Sequence, residues 1–252
     1  MSDAAPKTFD AAAVRDGLLI VANYNQEQEI GAYLARVDRH FPKRQIVVID
    51  DGSTDASPEI AEAAGFELIR HSRNLGIGAA IRTGINEARR RGLRWVLISS
   101  SNGKIRPEDF RQVYAPVAAG EADYTTGSRF VAGGGSPGLP LFRRLSIPVV
   151  SLALSLGIGR RFTDITCGFR AYTLDILDRS GANLDQDWLN RYELEYYIHY
   201  QVSQLRDARI QEVPVTIDYA HLDKGRTSKI KPFVGWWSMI RPVLLLRLGL
   251  RT

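Results

Sequence analysis

The feature that most constrains this chain is the alternation, through its first half, of short uncharged apolar runs with longer amphipathic stretches. Leu18-Leu19-Ile20-Val21, Ile46-Val47-Val48-Ile49, Phe66-Glu67-Leu68-Ile69 and Trp95-Val96-Leu97-Ile98 are too short for helices, and three of them are apolar without a break. Such runs suit strands covered on both faces. Between them, Glu27 to His40 sets Ile30, Leu34 and Val37 on one helical face. Ser57-Pro58-Glu59 starts a second helix, with Ser57 as the cap and Pro58 in the first turn, and Gly65 ends it. Gly78 to Arg90 reads as a third helix, and Pro107 opens a fourth that closes near Gly120. Strands separated by helices imply parallel pairing, helices on both faces, and ligands at the carboxyl ends of the strands.

The second half is less regular. Tyr124-Thr125-Thr126 is expected as a strand, and the Gly133 to Gly138 stretch as a mobile loop. A helix is expected from Arg143 to Leu156, a strand from Cys167 to Tyr172, a helix from Trp188 to Gln204 and a strand from Ile210 to Ile217. The tail from Phe233 to Leu250 reads as an apolar helix broken by Pro242. At 252 residues, the chain is expected to hold a flexible N-terminus (1–16), one α/β domain (17–230) and a C-terminal amphipathic helix (231–252).

The net charge of +5 suits phosphorylated substrates or an acidic membrane surface. Nucleic-acid binding would rest on charge alone and is not expected. A single cysteine, Cys167, excludes an internal disulfide and fits a reducing compartment. The longest uncharged run, Leu145 to Gly159, falls short of the about 20 residues that span a bilayer. A cytoplasmic protein is expected, at most peripheral to a membrane.

Chemistry-bearing residues gather where the strands end. Asp50 and Asp51 close the second run, where a carboxylate suits a ribose or base edge and equally suits capping the next helix. Ala22-Asn23-Tyr24-Asn25-Gln26 closes the first, offering either a nucleobase platform or a helix cap with a partly buried Tyr24. Asn74-Leu75-Gly76-Ile77-Gly78 opens a helix with a tight, glycine-rich turn. Further along stand Gly127-Ser128-Arg129-Phe130, Thr163-Asp164-Ile165-Thr166-Cys167-Gly168-Phe169-Arg170, Glu212-Val213-Pro214-Val215 and Gly225-Arg226-Thr227-Ser228-Lys229.

In that order these motifs resemble family 2 glycosyltransferases with the GT-A fold, most closely the dolichol-phosphate mannose synthases and related polyprenyl-phosphate glycosyltransferases. The resemblance runs from about Gly17 to Lys231. It implies a Rossmann-like three-layer α/β/α fold with a mostly parallel central sheet. It implies an inverting transfer of sugar from a UDP- or GDP-linked donor to a polyprenyl phosphate or a small polar acceptor such as a nucleoside or aminocyclitol. By the same resemblance, Tyr24, Asp50 and Asp51 hold base and ribose, with Ala22, Asn25 and Gln26 beside them. Arg129 and the glycine loop border the acceptor, and Asp164 sits at the anomeric carbon. Arg226, Ser228 and Lys229 face phosphate, and either Glu193 or Glu195 matches a recurrent glutamate.

The family's metal-gripping Asp-x-Asp is Ser100-Ser101-Asn102 here. Neutral oxygens suit Mg²⁺ or Mn²⁺ poorly without a carboxylate, so a metal, if held at Asn102, is expected to be weakly bound. Lys104 stands two residues beyond Asn102, where an ammonium supplies fixed positive charge to a diphosphate. Ala22, Gln26 and Ile77 also replace a usual proline, glutamate and lysine near the expected nucleotide. The alternative reading is a nucleotide-sugar-binding protein that has lost catalysis.

Overall fold

The structure, a computed structural model, describes residues 9–220 and 234–250. In chain order its elements are β1 (Gly17–Asn23), α1 (Glu27–His40), β2 (Ile46–Asp50), α2 (Ser57–Ala63), β3 (Glu67–Arg70), α3 (Ile77–Arg90), β4 (Trp95–Ser100) and α4 (Phe110–Ala118). They continue with β5 (Tyr124–Ser128), α5 (Leu141–Ile158), β6 (Arg170–Thr173), α6 (Leu174–Arg179), α7 (Glu193–Gln204), β7 (Ile210–Pro214) and α8 (Val234–Arg247). The strands form one seven-stranded sheet in the order β3-β2-β1-β4-β6-β5-β7. β6 alone runs against its neighbours β4 and β5, and the other pairings are parallel.

β1, β2 and β4 are apolar throughout because both faces of the sheet are covered. Leu19, Val21, Val48 and Leu97 face a core shared with α1 and α4, including Tyr33, Leu34, Phe110 and Val113. Leu18, Ile20, Val47 and Ile98 face α3 and α7 through Ile81, Ile85, Leu194 and Ile198. A third, smaller core joins α5, α7 and α8 through Leu154, Ile158, Phe162, Tyr196 and Val243. This is the expected α/β/α layering.

The register brings the chemistry together. Asn23 lies beside Asp50 across β1 and β2, and Ala22 beside Ser100 across β1 and β4. Chain order turns outward in both directions from β1, so the carboxyl ends of β1 and β4 flank a switch point. Ligands of open α/β sheets bind in the crevice at such a point.

Several expectations change at the element level. Ser57 is the first residue of α2, not its cap; Ala56 holds the cap position, and Asp55 just before it accepts from Ser57 N at 3.1 Å and Ser57 Oγ at 2.5 Å. The glycine stretch is tied down: Gly135 N donates to Val215 O, Ile217 N to Gly135 O and Tyr219 N to Pro137 O, at 2.9 to 3.1 Å. Pro242 does not break α8, because Ile240, Val243 and Leu246 pack into the third core and outweigh the lost backbone hydrogen bond. The helix expected from Trp188 starts only at Glu193, after a 3₁₀ turn at Asp187–Leu189. Of the expected flexible N-terminus, residues 9–16 form hydrogen-bonded turns that bury Val14 completely.

α5 is longer than its sequence pattern suggests. At 18 residues it is the one helix among those described whose length and composition match a membrane span. One face packs inward through Ile147, Ser151, Leu154, Ser155 and Ile158. The other leaves Leu141, Phe142, Leu145, Val149, Leu152 and Leu156 each 58–75% exposed.

Candidate active site

A cleft of roughly 480 Å³ opens at the carboxyl ends of β1 and β4. Ala22, Tyr24 and Gln26 at the end of β1, Ser100 to Asn102 and Lys104 at the end of β4, and Arg129, Thr166 and Tyr219 line it. Asp51, Gly76, Arg191 and Glu195 line it as well. Ala22, Tyr24, Gln26, Asp51, Ser100, Asn102, Lys104 and Arg129 are therefore brought together as the sequence leads one to expect. Arg226, Ser228 and Lys229 lie outside the described residues.

Asn25, Asp50 and Asp164 do not line the cleft. Asn25 has φ +50 and serves a turn, its Oδ1 accepting from Thr54 N at 2.9 Å. Asp50 is fully buried and accepts from Asn23 Nδ2 at 2.8 Å and from Ser53 N at 3.0 Å. It ties β1, β2 and the following turn to one another. Asp51 does reach the cleft wall, but its two oxygens accept from Asn74 Nδ2, Leu75 N and Gly76 N at 2.8–2.9 Å and lie 2.8 Å from His71 Nδ1. Its visible task is to shape the turn before α3, where Gly76 has φ +111 and only glycine fits easily.

Asp164 is fully buried and clamped by Arg129: Nε reaches Oδ2 at 2.6 Å and Nη2 reaches Oδ1 at 2.8 Å. Thr166 Oγ1 donates to the same carboxylate at 3.0 Å, and Arg129 N adds a bond at 3.1 Å. The carboxylate of Glu212, on β7, holds this turn by accepting from Thr163 N and Asp164 N at 2.8 to 3.1 Å. A carboxylate paired bidentately with guanidinium is a poor proton acceptor. Asp164 therefore orients Arg129, and Arg129 is the member of the pair that meets the cleft. Burial opposes the charge of Arg129, but the bonds from Asp164 hold its pKa above the ordinary value.

Tyr219 gathers the cations. Arg129 Nη1 donates to its hydroxyl at 2.8 Å, and Lys104 Nζ stands 5.6 Å from its ring centroid. Burial pushes the phenol up, opposed by the charges of Arg129 and Arg143. Arg143, in the first turn of α5, carries a buried Nη1 with no hydrogen-bond partner. Tyr219 is not singled out for the site by sequence, since tertiary packing and not a local motif brings it to the cleft; Arg143 does not line the cleft.

Of the two glutamates in α7, Glu195 lines the cleft and Glu193 does not. The Glu195 carboxylate rests against Gly168, where a Cβ would stand 2.8 Å from Oε1. Burial raises its pKa, and nearby Arg170 opposes the rise. Since the folded-state pKa is raised, folding favours the protonated form. That contribution is full below the unfolded pKa and is lost as pH rises through the folded value. Glu195→Gln is therefore expected to melt at the parent's temperature in acid and above it at neutral pH, as a pH series of melting curves will show. Cys167, also at the cleft, has its thiol pushed up to about 12 by burial and is not a nucleophile at neutral pH.

The donor set at the end of β4 does not fit a divalent cation. Ser101 is fully buried and donates to Asn23 Oδ1 at 2.6 Å. Asn102 Oδ1 accepts from Lys104 N at 3.1 Å, and the rest of that side chain is an NH₂ donor. Among the described residues, no three His, Cys, Asp or Glu side chains converge on a metal position.

Comparison with known proteins identifies the family. The sequence profile described as Glycosyl transferase family 2 matches residues 18–181. Polyprenol monophosphomannose synthase of Mycolicibacterium smegmatis is 31% identical over 182 residues, 68% of this chain and 67% of that protein. Undecaprenyl-phosphate mannosyltransferase of Micrococcus luteus is 28% identical over 216 residues, 84% of this chain and 87% of its own. Among solved structures, glucosyl-3-phosphoglycerate synthase of Mycobacterium tuberculosis, in complex with Mn²⁺, UDP and phosphoglyceric acid, superimposes with a TM-score of 0.66 at 18% identity. That match covers 96% of this chain and 82% of the other. The chain belongs to glycosyl transferase family 2 and is a glycosyltransferase of the GT-A fold.

Proposed function

We propose that the chain transfers a sugar from a nucleoside-diphosphate donor to a polyprenyl phosphate, with inversion, at a membrane surface. The observation that carries the choice of acceptor is the exposed apolar stripe on α5, from Leu141 to Leu156, with Arg143 and Arg144 in its first turns. Neither α5 nor α8 carries an acidic residue. An apolar helical face flanked by cations suits a bilayer interface with anionic headgroups. Arg143, on that face, acts electrostatically on Tyr219, a residue that lines the cleft. A lipid phosphate that met Arg143 and Arg129 would keep its chain along the stripe. The names of the relatives support the same acceptor class.

The reaction on this reading is a direct displacement. A phosphate oxygen of the acceptor attacks the anomeric carbon, the bond from that carbon to the donor diphosphate breaks, and the nucleoside diphosphate leaves with the electron pair. The attacking phosphate is already anionic, so no base has to remove a proton. Tyr24, Ala22, Gln26 and Asp51 border the nucleoside. Asp164 acts through Arg129, and Arg226, Ser228 and Lys229 supply further phosphate contacts.

Flotation with phosphatidylglycerol vesicles tests the acceptor. The parent is expected to float with the vesicles. The triple variant Leu145→Glu, Val149→Glu, Leu152→Glu, which changes only exposed positions, is expected to stay in the buffer. That variant should lose transfer to vesicle-borne undecaprenyl phosphate and keep transfer to a short, water-soluble prenyl phosphate. A parent that ignores vesicles and glycosylates a small polar alcohol contradicts the proposal.

A further inference from the structure

We infer that this chain binds the donor's diphosphate without a divalent cation, using the ammonium of Lys104 as the counter-charge. The inference rests on the reading that the donor is a nucleoside diphosphate sugar.

Three observations carry it. First, every side chain at the end of β4 that a cation would need is committed elsewhere or offers the wrong polarity. Ser101 gives its proton to Asn23 inside the protein, and Asn102 turns its carbonyl oxygen to Lys104 N, at 3.1 Å. What remains at this edge is an amide NH₂ and the Lys104 ammonium, both donors, and the Ser100 hydroxyl, a neutral group that can donate or accept; none is a carboxylate. Such donors attract phosphate oxygens, and the ammonium repels a metal ion.

Second, the nearby carboxylates are occupied. The Asp51 oxygens take bonds from Asn74, Leu75 and Gly76, at 2.8 to 2.9 Å. Asp50 and Asp164 are fully buried. Among the described residues lining the cleft, Glu195 is the other carboxylate; it stands 4.0 Å from Arg170 Nη1, and one such group on the α7 side is a poor Mg²⁺ or Mn²⁺ site.

Third, the geometry fixes Lys104. Its carbonyl accepts from Asp218 N at 2.8 Å, which ties the lysine backbone to the stretch that carries Tyr219. Tyr219 in turn joins Arg129 by its hydroxyl and faces Lys104 Nζ with its ring. The charge of Arg129 is balanced by Asp164, whereas the Lys104 side chain lines the cleft beside Asn102, where the diphosphate of a bound donor would lie. A fixed cation beside the leaving diphosphate does the electrostatic work of a metal ion without having to be bound first.

The test is calorimetric titration of UDP, GDP and CDP, and of the matching nucleosides, into protein stripped of metal. Each titration is run with EDTA and with millimolar Mn²⁺ or Mg²⁺. One nucleoside diphosphate is expected to bind with the same affinity, within about twofold, in EDTA and in metal. Lys104→Gln should weaken that nucleotide by about tenfold or more, leave nucleoside binding unchanged, and melt like the parent; Lys104→Arg should recover most of the loss. In the reverse experiment, Ser100→Asp with Asn102→Asp and Lys104→Gln should make nucleotide binding metal-dependent, visible in the Mn²⁺ spin-resonance spectrum. Binding by the parent that appears only with metal overturns this inference and leaves the donor reading intact. No nucleotide binding under either condition overturns the donor reading itself.

Discussion

Asp164→Asn should unfold the protein at a markedly lower temperature. The substitution keeps the shape of the side chain and removes its charge, leaving the Arg129 guanidinium buried and unpaired beneath the cleft. Breaking one side of a buried ion pair costs about 3–5 kcal/mol. In a chain of this size each kcal/mol moves the melting temperature by roughly 2–4 °C, so a fall on the order of 10 °C is expected. A catalytic base at the anomeric carbon would behave differently, losing turnover with little change in melting. Calorimetry on the variant and the parent separates the two roles. Restoring neutrality with Arg129→Met in the Asp164→Asn background should recover stability but not activity, because Arg129 is the partner that reaches the cleft.

Gly78→Ala is the second large effect. In the first turn of α3, a Cβ at this position would stand 2.1 Å from Leu189 O and 2.4 Å from Arg191 O. Both are backbone atoms, so no rotamer change relieves the clash. Ala79 N also donates to Asn190 O at 3.1 Å, which binds the 189–191 segment to the helix start. Making room means pushing that segment away, and with it Arg191, Tyr192 and Glu195, which line the cleft. Overpacking of this kind costs about 1–3 kcal/mol. Nucleotide affinity should fall by more than the stability loss accounts for, since the wall of the site moves. The comparison is made by titration of the nucleotide well below the variant's melting temperature. Gly92→Ala is a control for glycine removal where a Cβ meets nothing within 4 Å, although its φ of +66 still carries some backbone strain.

Most of the fold was legible because its signals are local. β1, β2 and β4 are short and apolar because two helical layers cover them, and α1 appears at Glu27–His40 as its periodicity indicates. The antiparallel β6 was not legible, since strand direction depends on how the chain returns from α5 and not on the residues in Arg170–Thr173. Nor was the continuity of α8 through Pro242, which tertiary packing secures.

The site divides in the same way. Tyr24, Asp51, Asn102 and Lys104 follow strand ends, and a strand end points at the crevice by topology alone. The inward turn of Asp50 and the clamp between Asp164 and Arg129 depend on partners 27 and 35 residues away, which no local pattern reports. Tyr219 enters the site through the same long-range packing, joining Arg129 from 90 residues away. That Glu195 and not Glu193 lines the cleft follows from the placement of α7 against Gly168, which no local pattern reports.

The most direct measurement is a single-turnover assay in EDTA, with the nucleotide-sugar found by titration, its sugar labelled, and undecaprenyl phosphate in phosphatidylglycerol vesicles. The account predicts that label moves to the lipid phosphate with inverted anomeric configuration, and that Lys104→Gln slows the step. Label that stays on the donor, or that reaches only the hydroxyl of a small polar acceptor, contradicts it.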